Sequence, residues 1–258
     1  MQYLFTPAGE AALSETLLRR PLIAFDFDGT LAPIVARPDD ARISEGLSER
    51  LRSLAAKLPV AIVTGRAVAD VRGRLGFDPR YVVGSHGAED GLNGDAAAAA
   101  AYSKALDPLR DLLRAHRADL DAAGIGVEDK WLSIALHYRL AREAGAARGL
   151  IQEILEQPGL AIKVFSGKMV VNVMAPGAPD KAHAVQALVE RSGADCALFA
   201  GDDINDEPVF VSAPPHWLTV RIGCEDPNSS ARFFLDSPIE VAILLERMLI
   251  LLSRLDNH

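Results

Sequence analysis

The chain has 258 residues, of which 49% are hydrophobic and 24% charged. That composition excludes wholesale disorder and allows one large domain or two unequal ones at roughly 100–200 residues each. Lys and Arg total 27 against 35 Asp and Glu, a net charge of −8, so the basic excess of a nucleic-acid binder is missing.

Residues 1–21 lack a basic segment ahead of a long apolar core, so no signal peptide is expected. The apolar run Pro21–Phe25 ends abruptly in Asp26-Phe27-Asp28-Gly29-Thr30 and reads as a buried strand. Ile43, Leu47, Leu51, Leu54 and Leu58 recur at helical spacing, which predicts a helix over 43–58, ended by Pro59. Val60–Val63 is a second apolar strand running into Thr64-Gly65-Arg66. A short helix near 67–75 follows, then Tyr81-Val82-Val83 and the turn Gly84-Ser85-His86-Gly87. Strands apolar throughout are strands covered on both faces, so this βαβαβ run predicts a parallel sheet.

The rhythm changes at the turn-rich stretch 90–94 and the alanine run 96–101. Residues 102–122 read as one helix. Residues 131–139 alternate, with Leu132, Ile134, Leu136 and Tyr138 on one face and Ser133, Ala135, His137 and Arg139 on a polar one. Gly124–Asp129 is expected to pair with that strand. A helix over 141–157 precedes two strands flanking a hairpin turn at Ser166-Gly167-Lys168. After Pro176-Gly177 the α/β pattern returns, with a helix from near Lys181, a strand over Cys196–Ala200 ending in Gly201-Asp202-Asp203-Ile204-Asn205-Asp206-Glu207, and another over Leu218–Ile222. A last helix opens on a capping box at Ser237-Pro238-Ile239-Glu240. Its apolar stretch near 243–252 is interrupted by Glu246 and Arg247 and is shorter than the ~20 residues of a membrane span.

The expected fold is therefore α/β, a Rossmann-like parallel-sheet core domain (1–101 and 176–258) with an inserted α+β cap domain of αββαββ order (102–175). The polar residues of the last helix form a narrow stripe, so the core covers it or it forms a dimer interface; a monomer or weak homodimer is expected. Cys196 and Cys224 make neither a zinc spacing nor a disulfide framework, which fits a cytoplasmic compartment.

Three predicted strand ends carry acidic or hydroxyl residues: Asp26 and Asp28, Thr64, and Asp202, Asp203 and Asp206. In open α/β sheets ligands bind outside the carboxyl ends of strands, so these groups converge. Several carboxylates in one crevice call for a cation, and all-oxygen ligation suits Mg²⁺. Asp26 follows a run with no counter-charge and is expected to be partly desolvated. Thr64 reads equally as a helix cap or a phosphate contact, and Asp203 and Asp206 as caps or as ligands.

In this order the motifs resemble those of the haloacid dehalogenase superfamily of phosphatases: FDFDGTL at 25–31, Thr64, Lys181 and GDDINDE at 201–207. More narrowly, FDFDGTLAPI (25–34), VTGR (63–66), GSHGAE (84–89), EDKWLSIALHYR (128–139), GKMVVNV (167–173) and GDDINDEPVF (201–210) resemble the trehalose-6-phosphate phosphatase family. The resemblance implies a covalent mechanism. Asp26 attacks phosphorus and Asp28 serves as acid and then base. Mg²⁺ sits on Asp26, Asp202 and the Asp28 main-chain carbonyl. Thr64 and Lys181 hold phosphate oxygens, and Gly29 lets the backbone approach them. Gly65, Arg66, His86, Lys130, His137, Arg139 and Asn172 are then the expected contacts to a small-molecule sugar phosphate, with no nucleic-acid or membrane partner. Asn172 stands where that family usually carries Glu, and Met174-Ala175 where a basic residue and Pro usually follow. The same chemistry on sucrose phosphate or a glycosyl phosphoglycerate, and a non-catalytic sugar-phosphate sensor, are the competing readings.

Overall fold

Short runs of wholly apolar residues dominate the interior, as expected of strands that helices cover on both sides. The computed structural model describes residues 1–35, 37–91 and 94–256. The chain divides into two compact units, Met1–Leu92 with Pro179–His258, and Asn93–Ala178. The second begins ahead of the alanine run rather than after it. Leu92 and Asn93 of the expected turn at 90–94 lie outside the described residues.

The first unit opens with β1 (Gln2–Tyr3) and α1 (Pro7–Leu18), whose first turn is fixed by Thr6 accepting from the Gly9 N–H and by Pro7 at the first helical position. There follow β2 (Leu22–Phe25), α2 (Glu45–Ala55), β3 (Val60–Val63), α3 (Val68–Arg72), β4 (Tyr81–Gly84) and β5 (Glu89–Asp90). Ser44 caps α2 by accepting from the Leu47 N–H. Ala67 cannot cap α3, and the Glu89 carboxylate accepts from the Val68 N–H instead.

The second unit contains α4 (Ala96–Ala105), α5 (Asp107–Ala115), α6 (Arg117–Ala122), β6 (Gly126–Asp129), β7 (Ser133–His137), α7 (Ala144–Leu155), β8 (Lys163–Gly167) and β9 (Val170–Met174). The single helix expected over 102–122 is broken at Leu106 and His116. Pro108 accounts for the first break, because it has no N–H and its ring excludes the carbonyl four residues back. The four strands form an antiparallel sheet in the order β6-β7-β9-β8. One face, with Ile134, Leu136, Val171 and Val173, packs on Leu106, Leu109 and Leu113 and on Ala147, Ile151 and Ile154 of the helices. Ser133 and Ala135, expected on a solvated face, are buried as well. The β8–β9 turn is Lys168-Met169 rather than 166–168. Gly167 pairs with Val170, and Met169 takes the left-handed conformation that closes so short a turn.

The first unit resumes with α8 (Lys181–Ser192), β10 (Ala197–Gly201), α9 (Glu207–Ser212), β11 (Leu218–Ile222), β12 (Phe233–Leu235) and α10 (Ile239–Leu255). Its eight strands run β1-β12-β11-β10-β2-β3-β4-β5, parallel except at β5. Side chains alternate between two cores. Ile23, Phe25, Val60, Ile62 and Leu198 join the helices α1, α2 and α10, while Leu22, Ala24, Ala61, Val63 and Phe199 join α8 and α9. The expected α/β fold with an inserted α+β unit is thus observed. No helix of the described residues is long and apolar enough to cross a membrane.

The capping box predicted at 237–240 does not form. The helix starts at Ile239 without a side-chain cap, and Glu240 accepts from the Asp236 N–H (2.7 Å) and from the Tyr3 hydroxyl (2.6 Å). This carboxylate ties α10 to β1 instead. Leu244, Leu245 and Met248 are fully buried, whereas Ile239 is 80% exposed. Leu245→Ala should therefore cost about 2–5 kcal/mol in denaturant unfolding and Ile239→Ala under about 1 kcal/mol. Equal costs at the two positions would contradict the placement of this helix.

Candidate active site

Strands β2 and β10 are parallel neighbours, and the chain leaves them in opposite directions. From β2 it continues through α2 on one face of the sheet, and from β10 through α9 on the other. A crevice opens at such a reversal, at the carboxyl ends of the two strands. Asp26 is the first residue beyond β2, and its N–H still bonds the Ala200 carbonyl of β10 at 2.9 Å. Asp202 is the first residue beyond β10. The sheet register alone therefore places these two carboxylates side by side.

Both are buried, as are Asp206 and Lys181. Asp180 caps α8 and accepts from the His183 N–H at 3.2 Å, which puts Lys181 at the first helical position. From there its Nζ donates to Asp26 Oδ1 and Asp206 Oδ1, at 2.7 Å each. Asp206 Oδ2 accepts from the N–H groups of Asp202 (2.9 Å) and Asp203 (3.0 Å), closing the 201–206 loop on itself. Burial opposes the Lys181 charge, but the charges and hydrogen bonds of Asp206 and Asp26 outweigh it and raise its pKa. The Asp26 carboxyl is raised well above the usual carboxylate range. Burial is the main cause, Lys181 counteracts it, and Asp206 and Asp202 add to it.

Asp26, Asp202 and Asp206 each present an oxygen within 4.8 Å of the others. Three carboxylates against the single ammonium of Lys181 leave a surplus of two negative charges when all are ionised. A divalent cation with a preference for oxygen ligands would match that surplus. Asp206 has both oxygens engaged by Lys181 and the loop amides, so it orients the cluster. Asp203 lies outside the cluster and acts as the cap of the turn Ile204–Asp206, accepting from the Ile204 N–H (2.8 Å) and Asn205 Nδ2 (3.2 Å). Gly29, at φ 81°, lies so close to Asp202 that a Cβ would overlap its carboxylate.

Asp28 is half-exposed, and its carboxylate is gripped by Arg66 rather than by Lys181. Arg66 Nε donates to Oδ2 at 2.7 Å and Nη2 to Oδ1 at 2.8 Å. Thr64 is buried at the end of β3. Its hydroxyl oxygen accepts from the Arg66 N–H (3.2 Å), so it shapes a loop and does not cap α3, which begins at Val68. The turn after β4 clasps this loop. The Ser85 N–H bonds the Arg66 carbonyl at 2.8 Å and the His86 N–H bonds the Thr64 carbonyl at 2.9 Å. Ser85 and His86 both adopt positive φ (48° and 59°), a strained pair at about 1–3 kcal/mol per residue. The His86 ring lies where a Cβ on Gly65 would be, which accounts for glycine there.

In the second unit, Glu128, Ala135 and Asn172 are successive cross-strand neighbours on the sheet face opposite the helices, and His137 lies on the same face. His137 Nε2 meets Glu128 Oε2 at 2.9 Å and Lys130 Nζ meets it at 3.5 Å. Burial would raise the Glu128 pKa, but the His137 hydrogen bond and the Lys130 charge hold it below its usual value. Arg139 donates to the Lys168 carbonyl at 3.1 Å. Glu128, absent from the residues expected from sequence, is thus the point where Lys130 and His137 meet. Asp70 was likewise missed. It stands one helical turn after Arg66, a spacing that favours such a pair, and accepts from Arg66 Nη1 at 2.8 Å.

A sequence model of the trehalose-phosphatase family matches residues 24–239. The trehalose-phosphate phosphatase of Mycobacterium tuberculosis is 33% identical over 247 residues, covering 89% of this chain and 61% of the relative. That of Mycobacterium ulcerans is 33% identical over 92% of this chain and 63% of the relative. An uncharacterized glycosyl hydrolase of M. tuberculosis is 35% identical over 89% of this chain but only 18% of its own length. The chain thus spans less than two thirds of these curated relatives. Among solved structures, a trehalose-6-phosphate phosphatase related protein superposes with a TM-score of 0.73 at 26% identity, covering 90% of this chain and 99% of that one. The C-terminal domain of the Candida albicans trehalose-6-phosphate phosphatase has the same fold, with a TM-score of 0.78 at 22% identity over 94% and 96% of the two chains. With its motif aspartates gathered at one end of such a sheet, the chain belongs to the trehalose-phosphatase family.

Proposed function

We propose that this chain is a Mg²⁺-dependent phosphatase that hydrolyses trehalose 6-phosphate to trehalose and phosphate through an aspartyl-phosphate, in the cytoplasm and as a monomer or weak homodimer. The observation that carries the reading is the buried Asp26, held by Lys181 through Oδ1 alone at the switch point of the sheet. A desolvated carboxylate with one oxygen fixed in place is a positioned nucleophile.

In the first step an Asp26 oxygen forms a bond to phosphorus as the bond from phosphorus to the sugar oxygen breaks. The Asp28 carboxyl passes its proton to that departing oxygen. In the second, a water oxygen attacks phosphorus, Asp28 takes the water proton, and the Asp26–phosphorus bond breaks to release phosphate. Lys181 stabilises the added negative charge beside Asp26, and the Thr64 hydroxyl keeps its hydrogen for a phosphate oxygen because its bond to the Arg66 N–H uses only a lone pair. Asp26, Asp202 and the Asp28 main-chain carbonyl would hold Mg²⁺, which when bound neutralises charge on the phosphoryl group. Lys130, His137, Arg139 and Asn172 are read as sugar contacts, with His86 on the first unit. Glu128 joins them, since its carboxylate orients two of them and is itself an acceptor for hydroxyls.

Removal of divalent metal should abolish phosphate release and Mg²⁺ should restore it. Ca²⁺ should inhibit, because its larger and looser shell misplaces Asp26. Full turnover after exhaustive chelation would sink the metal assignment. Asp26→Asn should lower kcat by roughly 10⁴-fold or more, as nucleophile deletions do elsewhere. It also removes one buried negative charge while Lys181 keeps Asp206, so thermal stability should hold or rise. Residual activity within 10²-fold of the parent would exclude covalent catalysis by Asp26. Trehalose 6-phosphate should have a higher kcat/KM than glucose 6-phosphate or sucrose 6-phosphate, since binding energy from the second ring orients the phosphate. A higher value for either competitor would overturn the substrate assignment and leave the chemistry standing.

A further inference from the structure

We propose that Arg66 is a positioning residue for Asp28, itself fixed by Asp70, and not a contact to the substrate. The inference rests on the reading of Asp28 as the acid and base of the reaction. All three guanidinium nitrogens of Arg66 are engaged by the chain's own carboxylates. Nε and Nη2 hold the two oxygens of Asp28, and Nη1 holds Asp70 Oδ2 at 2.8 Å. The guanidinium is buried and lies over the Phe27 ring, 5.3 Å from its centroid. Phe27 is itself fully buried, so the residue between the two aspartates and the arginine that grips the second form one rigid support.

The support extends outward. Arg74, also buried, donates from Nε to Asp70 Oδ1 at 2.7 Å and from Nη1 to the Asp39 carbonyl at 2.7 Å. Asp28, Arg66, Asp70 and Arg74 therefore form a ladder of alternating charge running from the end of β2, across the start of α3, to the segment at 39–41. Burial works against the Arg66 charge, but the bonds and charges of Asp28 and Asp70 outweigh it, so the guanidinium stays charged.

The geometry does two things for the reaction. A half-exposed Asp28 carboxyl on a two-bond stem would otherwise sample several rotamers; the planar fork holds it in one. Each Asp28 oxygen spends one lone pair on Arg66 and keeps another for a proton or a water. A lysine at 66 would carry the charge but not the paired geometry, because an ammonium is a point donor.

The test is the dependence of kcat/KM on the leaving group in the Mg²⁺-loaded full chain. This constant reports events up to rupture of the bond to the departing oxygen. Trehalose 6-phosphate releases an alkoxide-like oxygen that needs a proton, whereas 4-nitrophenyl phosphate releases a phenolate that does not. Arg66→Gln should lower kcat/KM for trehalose 6-phosphate by about 10²-fold, the scale of a misplaced catalytic group. It should change the 4-nitrophenyl phosphate value by less than threefold. Arg66→Lys should behave like Arg66→Gln. Asp70→Asn, which keeps every atom of Arg66, should show the same selectivity at smaller size. Asp28→Asn should show the selectivity at full size, and Asp28→Asn with Arg66→Gln should be no worse than Asp28→Asn alone. Equal losses on both substrates in the Arg66 and Asp70 variants, or multiplied losses in the double variant, would overturn the inference while the acid role of Asp28 stands. An Asp28→Asn variant that loses both substrates equally would overturn the acid role and this inference together.

Discussion

Lys181 is the residue on which the site depends. A lone ammonium or carboxylate taken out of water is costly, and one whose partner is removed costs several kcal/mol more. Here a single buried ammonium bridges Asp26 and Asp206 at 2.7 Å each, and Asp206 then binds two amides of the loop after β10. Three chain segments far apart in sequence are thereby pinned to one point: the end of β2, the start of α8 and the 201–206 loop. The arrangement fixes Asp26 while leaving more carboxylates than ammonium groups in the cluster, a balance that favours an oxygen-preferring divalent cation.

The sheet makes this affordable. Apolar β2, β3, β4 and β10, with β11 buried beside them, bury both faces of the sheet, and the reversal of direction between β2 and β10 opens a crevice where polar groups are needed. The loops around it are shaped by close approach, with Gly29 against the Asp202 carboxylate and Gly65 against the His86 ring. A second charged assembly, Asp28-Arg66-Asp70-Arg74, stands beside the first and shares no hydrogen bond with it among those described. The two aspartates of the first motif thus have different supports: Asp26 a buried lysine, Asp28 a guanidinium fork. The two roles proposed for them, nucleophile and proton carrier, rest on separate supports.

The central strands were readable in the sequence because burial on both faces leaves uninterrupted apolar runs. Gln2–Tyr3 and Phe233–Leu235 left no such trace, since strands of two or three residues are defined by their partners and not by a pattern. Pro108 marked the break in the helix over 102–122, yet the helical leucine spacing masked it. The capping box at 237–240 failed because Glu240 found Tyr3, a partner that only the folded sheet supplies. In the site, the motif aspartates and Lys181 were visible as residues at element ends. Asp70 and Glu128 were not, because their roles come from what they face. Asp70 faces Arg66 across one helical turn, and Glu128 faces His137 across a strand pair. The polar face expected on residues 131–139 was half right in pattern: His137 is accessible, but Ser133 and Ala135 are buried.

The central claim is that Asp26 becomes covalently phosphorylated. The direct measurement is acid quench of the Mg²⁺-loaded chain during turnover of trehalose 6-phosphate, followed by mass spectrometry of its peptides. The account predicts a phosphoryl group on the peptide containing Asp26, lost on treatment with hydroxylamine and missing in Asp26→Asn. A phosphoryl group on any other residue, or rapid turnover with none on Asp26 at the earliest quench times, would contradict it.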